Sequence, residues 1–82
     1  MLGNAMLIPE DVRRSLIRYR DHKIPTGDFL RAVLQNDLYL AIARADPVNG
    51  AALPHIVAWC VEHLTWGSWG SSQNVEEWLH KQ

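Results

Sequence analysis

The chain has 82 residues, 48% of them apolar and 21% charged, with a formal charge of −1; this is one folded domain, and a disordered chain is excluded. So small a domain buries roughly 60–65% of its unfolded surface, which leaves little stability to spare. The near-zero charge gives nucleic acid no bulk attraction, and the single cysteine, Cys60, excludes an internal disulfide and a cysteine-built zinc site.

Residues 1–7 are expected to form a mobile N-terminal segment ahead of one helical domain over 8–82, with Met6 an alternative start to Met1. They lack the basic flank of a signal peptide. No apolar run approaches the roughly 20 residues that span a bilayer. With one cysteine, the chain suits a reducing, cytoplasmic setting.

Pro9 is suited to the first position of a helix, where its missing N–H costs nothing, and Glu10 and Asp11 suit the positive end of the helix dipole. Val12, Leu16 and Tyr19, with Ile17 beside them, predict about three amphipathic turns. Lys23 and Pro25 mark the end, with Ile24 extended because the residue before proline disfavours helix. Thr26 is a candidate N-cap for a helix with Gly27 and Asp28 in its first turn. Leu30, Val33, Leu34, Leu38, Ala41, Ile42 and Ala45 then share one face, compatible with one helix or with a break at Asn36-Asp37. The break is preferred, since either residue caps a helix well.

Asp46-Pro47-Val48-Asn49-Gly50 is turn chemistry. Leu53, Ile56, Val57, Cys60, Val61 and Leu64 predict a helix with one buried stripe, and Pro54 either starts it or removes one hydrogen bond near its beginning. Thr65 to Ser72 reads as a loop with two glycines. Ser71 or Ser72 caps a final helix through His80, with Val75, Trp78 and Leu79 inward. The fold class is all-α: a compact single-domain bundle of four to five short helices.

Metal and catalytic chemistry find little to work with. His55 and His63 lie eight apart, about 12 Å along a helix, too far to share an ion, and His22 and His80 lie elsewhere. Cys60 falls in the apolar stripe, where a thiol is inert packing. His63, three residues on, is within reach of it, but nothing supplies an orienting group or an oxyanion site. There is no phosphate loop, dinucleotide fingerprint or G-x-S-x-G. The expectation is a protein without cofactor or metal that is not an enzyme.

Charge and tryptophan are more informative. Arg13, Arg14, Arg18, Arg20 and Lys23 are five of the eight basic residues. They make the first helix either an ordinary solvated face or a docking strip for an acidic protein or phosphates. Four tryptophans, Trp59, Trp66, Trp69 and Trp78, either close a thin core or include an exposed interface anchor. Of these Trp69 is the expected anchor, because Trp66 follows closely on the helix and is expected to fold back on it. Trp59 lies off the Leu53–Leu64 stripe.

The run Ile24-Pro25-Thr26-Gly27-Asp28-Phe29-Leu30-Arg31-Ala32-Val33-Leu34-Gln35-Asn36-Asp37-Leu38, with Ala43-Arg44-Ala45-Asp46, Ala51-Ala52-Leu53-Pro54, Trp69-Gly70-Ser71, Val75 and Trp78-Leu79, resembles a family of small, uncharacterised all-helical proteins borne by phages, prophages and other mobile elements. The resemblance covers residues 8 to 79. It implies a bacterial or phage cytoplasmic setting and an accessory role, and brings no activity with it. Relatives often have proline after the serine of the Trp-Gly-Ser turn; Ser72 stands there in this chain.

The resulting expectation is a non-enzymatic accessory protein that binds a macromolecular partner, most readily a protein, with inhibitors of host defence one subclass. The candidate partner-binding residues are Arg13, Arg14, Arg18, Arg20 and Trp69. The alternative is nucleic-acid binding through the basic first helix, Arg13 to Lys23. A homo-oligomer is a further option, because a surplus apolar face finds a copy of itself.

Overall fold

The computed structural model describes residues 7–81. Five helices follow in chain order: α1 (Glu10–His22), α2 (Asp28–Leu34), α3 (Leu38–Arg44), α4 (Pro47–His63) and α5 (Ser72–His80). No strand occurs among the described residues, so the all-α expectation holds. The Cα radius of gyration, 11.7 Å, is that of a globule of this length (about 12 Å). The expectation for residues 1–7 falls, except for Leu7, outside the described residues.

Helix α1 buries Val12, Leu16 and Tyr19, the stripe its sequence spacing requires. Pro9 is the N-cap rather than the first helical residue: its ψ of 142° is extended, and its carbonyl accepts the first helical bond, from the Arg13 N–H at 3.0 Å. At the far end Lys23 takes a left-handed conformation (φ 55°). That closes the helix with N–H bonds from Lys23 to the Tyr19 carbonyl and from Ile24 to the Arg18 carbonyl.

Helix α2 is the most deeply embedded element; five of its seven residues, Phe29, Leu30, Ala32, Val33 and Leu34, are buried. Its N-cap is Gly27, not Thr26; the Thr26 hydroxyl donates to the Gly27 carbonyl instead of accepting a helical amide. The expected break is present. Asn36 turns left-handed (φ 62°), and the Asp37 carboxylate caps α3 by accepting from the Leu40 N–H at 3.1 Å.

Two sequence expectations fail at α4. Pro47 to Gly50 form its first turn rather than a separate turn, because Asp46 accepts from the Asn49 N–H at 2.7 Å and Pro47 occupies the position where proline fits a helix. Pro54 therefore lies inside the helix and cannot donate to the Gly50 carbonyl. The buried stripe is also rotated. Ala52, Leu53, Ile56, Trp59 and Cys60 face inward, whereas Val57 and Val61 face solvent. Both faces of α4 are apolar, so spacing alone did not choose between them; the core takes the larger side chain, Trp59, which has more apolar area to remove from water.

A loop joins α4 to α5, and Ser71 caps α5 through the Asn74 N–H at 3.0 Å. Val75 is buried, with Trp78 and Leu79 packed partly buried against the same core.

Candidate interaction surfaces

Three surfaces stand out: the basic side of α1, the tryptophan loop between α4 and α5, and the outer face of α3 and α4.

On α1 the arginines divide by helical position. Arg14 and Arg18 point outward, while Arg13 and Arg20 flank the buried stripe and are half-buried. Acidic neighbours take up much of the charge. Arg13 donates to Glu10 at 2.7 Å, and Arg14 lies 3.9 Å from the same carboxylate. Arg20 makes a two-point bond to Asp21, at 2.8 and 3.1 Å, which raises the Arg20 pKa and lowers that of Asp21. The Arg20 guanidinium also lies 5.8 Å from the Trp59 ring centre, and Lys23 sits 4.0 Å from that of Trp78. Arg18 bonds to the Ser15 hydroxyl at 3.3 Å. The strip is an arginine-rich face laced with its own counter-charges, not a concentrated cationic patch.

The tryptophan loop is held from several directions. The Tyr19 hydroxyl donates to the Ser68 carbonyl and the Gly70 N–H to the Leu34 carbonyl at 2.6 Å. The Ser68 hydroxyl donates to the Thr65 carbonyl at 2.7 Å, and the Asn74 side-chain amide to the Trp69 carbonyl at 2.9 Å. Gly67 and Gly70 supply the positive φ angles, 86° and 103°, that let so short a loop fold back. Burial pushes the Tyr19 phenol up to about 12, with the Arg31 charge opposing, so it remains a donor throughout the physiological range.

This loop reverses the expected roles of its tryptophans. Trp69 packs partly buried against the core, while Trp66 is fully solvent-exposed at 102%. A shallow hollow between them is lined by Trp66, Gly67, Trp69, Gly70 and Asn74. Local spacing could not separate the two, because the choice is made by Ser68 and Gly70, which pin the loop to residues 49 and 36 positions earlier in the chain.

The outer face of α3 and α4 carries almost no charge. Between residues 38 and 61 the only Asp, Glu, Lys or Arg side chains are Arg44 and Asp46. Arg44 donates to the Asp28 carbonyl at 3.2 Å, and Asp46 caps α4. Leu38, Tyr39, Ile42 and Val61 are all more than half exposed. A shallow hollow where α3 meets α4 is lined by Leu38, Ala41, Leu53 and Val57, with Val33, Asn36 and Asp37 at its edge.

No family model matches this chain, and no curated protein and no solved structure shows significant similarity to it. The surfaces themselves therefore carry the functional argument.

Cys60 and His63 are the two positions considered from sequence as a reactive pair. Cys60 is fully buried, and burial raises its thiol to about 12. The His63 ring leans on the Trp59 ring, 4.6 Å between centres, and approaches Glu62 at 3.8 Å. No group of three or more His, Cys, Asp or Glu residues that could hold a metal ion occurs among the described residues. No helix there is long and apolar enough to cross a membrane.

Proposed function

We propose that this protein is a non-enzymatic accessory protein, of the phage or mobile-element kind its sequence resembles, that acts in the cytoplasm by binding a protein partner with Trp66 as the anchor. The supporting observation is the full exposure of Trp66 on a loop tied to α1, α2 and α5. Tryptophan is the side chain most enriched among residues that dominate binding energy, and a loop already held in one conformation loses little entropy when a partner docks. The Trp69 hollow beside it offers a ledge for a complementary side chain. The arginines of α1 serve as a secondary, charge-selective surface that speeds encounter with an acidic partner. Inhibition of a host defence protein is one form such binding takes.

The nucleic-acid reading has less support. Its cations are largely paired with Glu10 and Asp21. The second helix of the α2–α3 pair, where a helix-turn-helix protein would read bases, exposes Leu38, Tyr39 and Ile42.

Affinity capture from the native host with wild-type and Trp66→Ala chains tests the proposal. A bound protein that disappears with Trp66→Ala, while the circular dichroism melt is unchanged, is the expected result. An identical set of bound proteins sinks the Trp66 anchor. Anisotropy with single- and double-stranded oligonucleotides at low salt is expected to stay flat; a steep, salt-sensitive signal would favour the alternative instead.

A further inference from the structure

We infer that Lys23 and Lys81, gathered on the ring of Trp78, form a docking site for a short acidic segment of a protein partner, one that presents two carboxylates side by side. The site shares no residue with the Trp66 hollow, and it rests on the protein-binding reading proposed above.

These are the only two lysines in the chain, and they come from helices far apart in sequence. Lys23 closes α1 and Lys81 closes α5. The Lys23 ammonium lies 4.0 Å from the centre of the Trp78 ring, and the Lys81 ammonium 5.7 Å from the same centre. The two nitrogens are therefore no more than about 10 Å apart, roughly one screening length in physiological salt, so each lies in the field of the other.

The ring that gathers them is fixed. Its indole N–H donates to the Tyr19 carbonyl at 2.8 Å, and the Lys23 N–H donates to that same carbonyl at 3.2 Å. One oxygen thus ties the ring to the backbone that carries Lys23. The Lys81 N–H donates to the Trp78 carbonyl at 3.3 Å, which ties the second lysine to the same tryptophan. Charges held by such a frame lose less freedom on docking than lysines on unconnected segments.

Neither charge is neutralised. Four of the six arginines, Arg13, Arg14, Arg20 and Arg31, pair with a carboxylate. Neither lysine forms an ion pair or a side-chain hydrogen bond among the described residues. The acids closest to them in sequence are engaged elsewhere. Asp21 holds Arg20 at two points, Glu76 meets Arg31 and His80, and Glu77 accepts from the Gln73 side-chain amide at 3.1 Å. The Trp78 ring attracts both cations but carries no charge, so two like charges share one neutral partner.

The same acids select the occupant. A nucleic acid needs a track of cations along its backbone. Here Asp21, Glu76 and Glu77 lie within five residues of one lysine or the other, and they repel a continuous row of phosphates. A short acidic segment brings two charges and no row. Carboxylates two residues apart on an extended strand stand about 7 Å apart, and four apart on a helix about 6 Å. Both spacings fit the lysine pair. Trp78 is only half-buried, so indole surface remains for an apolar side chain between the two acids.

Proton–nitrogen correlation NMR of the full chain tests this through the Trp78 indole N–H. The probe is a capped heptapeptide with two aspartates flanking a leucine; the control peptide has asparagines in their place. At low salt the acidic peptide is expected to shift the Trp78 resonance saturably, with a Kd on the order of 1 mM, and the control to leave it unmoved. Lys23→Gln with Lys81→Gln is expected to weaken binding about tenfold with an unchanged thermal melt. Lys23→Arg with Lys81→Arg is expected to bind as wild type does, and so is Trp66→Ala. No saturable shift up to about 20 mM peptide overturns the inference, as does equal binding of the control peptide or full binding by the glutamine pair. A wild-type affinity indifferent to salt up to about 0.5 M overturns it without recourse to any variant. An oligothymidylate that binds at these lysines more tightly than the acidic peptide overturns it in favour of nucleic acid. Failure of the Trp66 anchor shows differently, as captured host proteins unchanged by Trp66→Ala, and leaves the peptide result in force.

Discussion

Helices α1 and α4 both press an apolar stripe into the same core, yet their outer sides have opposite chemistry. The outside of α1 is written for water: arginines alternate with Glu10, Asp11 and Asp21, and short-range pairs hold much of the charge. The outside of α4 has no charged side chain before Glu62. The difference teaches that burial alone does not describe a small domain. Two helices with comparable inner stripes can present very different chemistry to solvent.

The sharpest way to break this comparison is to shave each side of α4 in turn. Ile56→Ala removes a fully buried side chain and is expected to cost about 2–5 kcal/mol in urea unfolding. Leu16→Ala in α1, also fully buried, should fall in the same range. Val57→Ala, measured at low chain concentration, is expected to cost under about 1 kcal/mol. If Val57→Ala matched Ile56→Ala, the outer face of α4 would be core after all.

Alkaline pH probes both helices, because each buries one weak acid. The folded chain keeps Tyr19 protonated up to about 12, while the unfolded chain releases that proton near 10.0. The unfolded state thus holds fewer protons between those values, so stability falls as pH rises through that window and is intact below it. Two units correspond to about 3 kcal/mol. Cys60 acts in the same direction from its ordinary 9.0 to about 12. Urea unfolding at successive pH values between about 8 and 12 should show the decline, and Tyr19→Phe should flatten its upper part.

Capping distinguishes the two helices on a smaller scale. Asp46→Ala at the start of α4 removes the bond to the Asn49 N–H and is expected to cost about 1 kcal/mol. Helix α1 begins at Pro9 with no side-chain cap, so Pro9→Ala should cost less; thermal melts compare the two. Smallest of all, reversing Arg14 and Arg18 to Glu is expected to shift stability by no more than about 0.5 kcal/mol while slowing association with an acidic partner. A larger loss of stability would show the strip to be structural.

Much of this architecture was legible along the chain. The α1 stripe, the break at Asn36-Asp37, the Ser71 cap and the inward Val75 all follow from interactions within a few residues, where spacing and capping chemistry act. Around Pro47, Asp-Pro with Asn and Gly suits both a turn and a helix start. The choice fell to the Asp46 cap and to the packing of the helix beyond. The candidate site was less legible. Its arginines were found as a cluster, but their pairing to Glu10 and Asp21 blunts them. Trp66 is exposed and Trp69 partly buried, the reverse of the expected burial, because bonds to Tyr19 and Leu34, remote in sequence, orient the loop.

The amino-acid order by itself determined that the chain is helical, roughly where its helices lie, and that residues 38–61 hold only two Asp, Glu, Lys or Arg side chains, Arg44 and Asp46, because those properties are local to the chain. Only the tertiary structure decided which side of α4 faces inward and which tryptophan meets the solvent. Both choices depend on how much apolar area the assembled core can enclose and on bonds between distant segments. No local pattern contains that information.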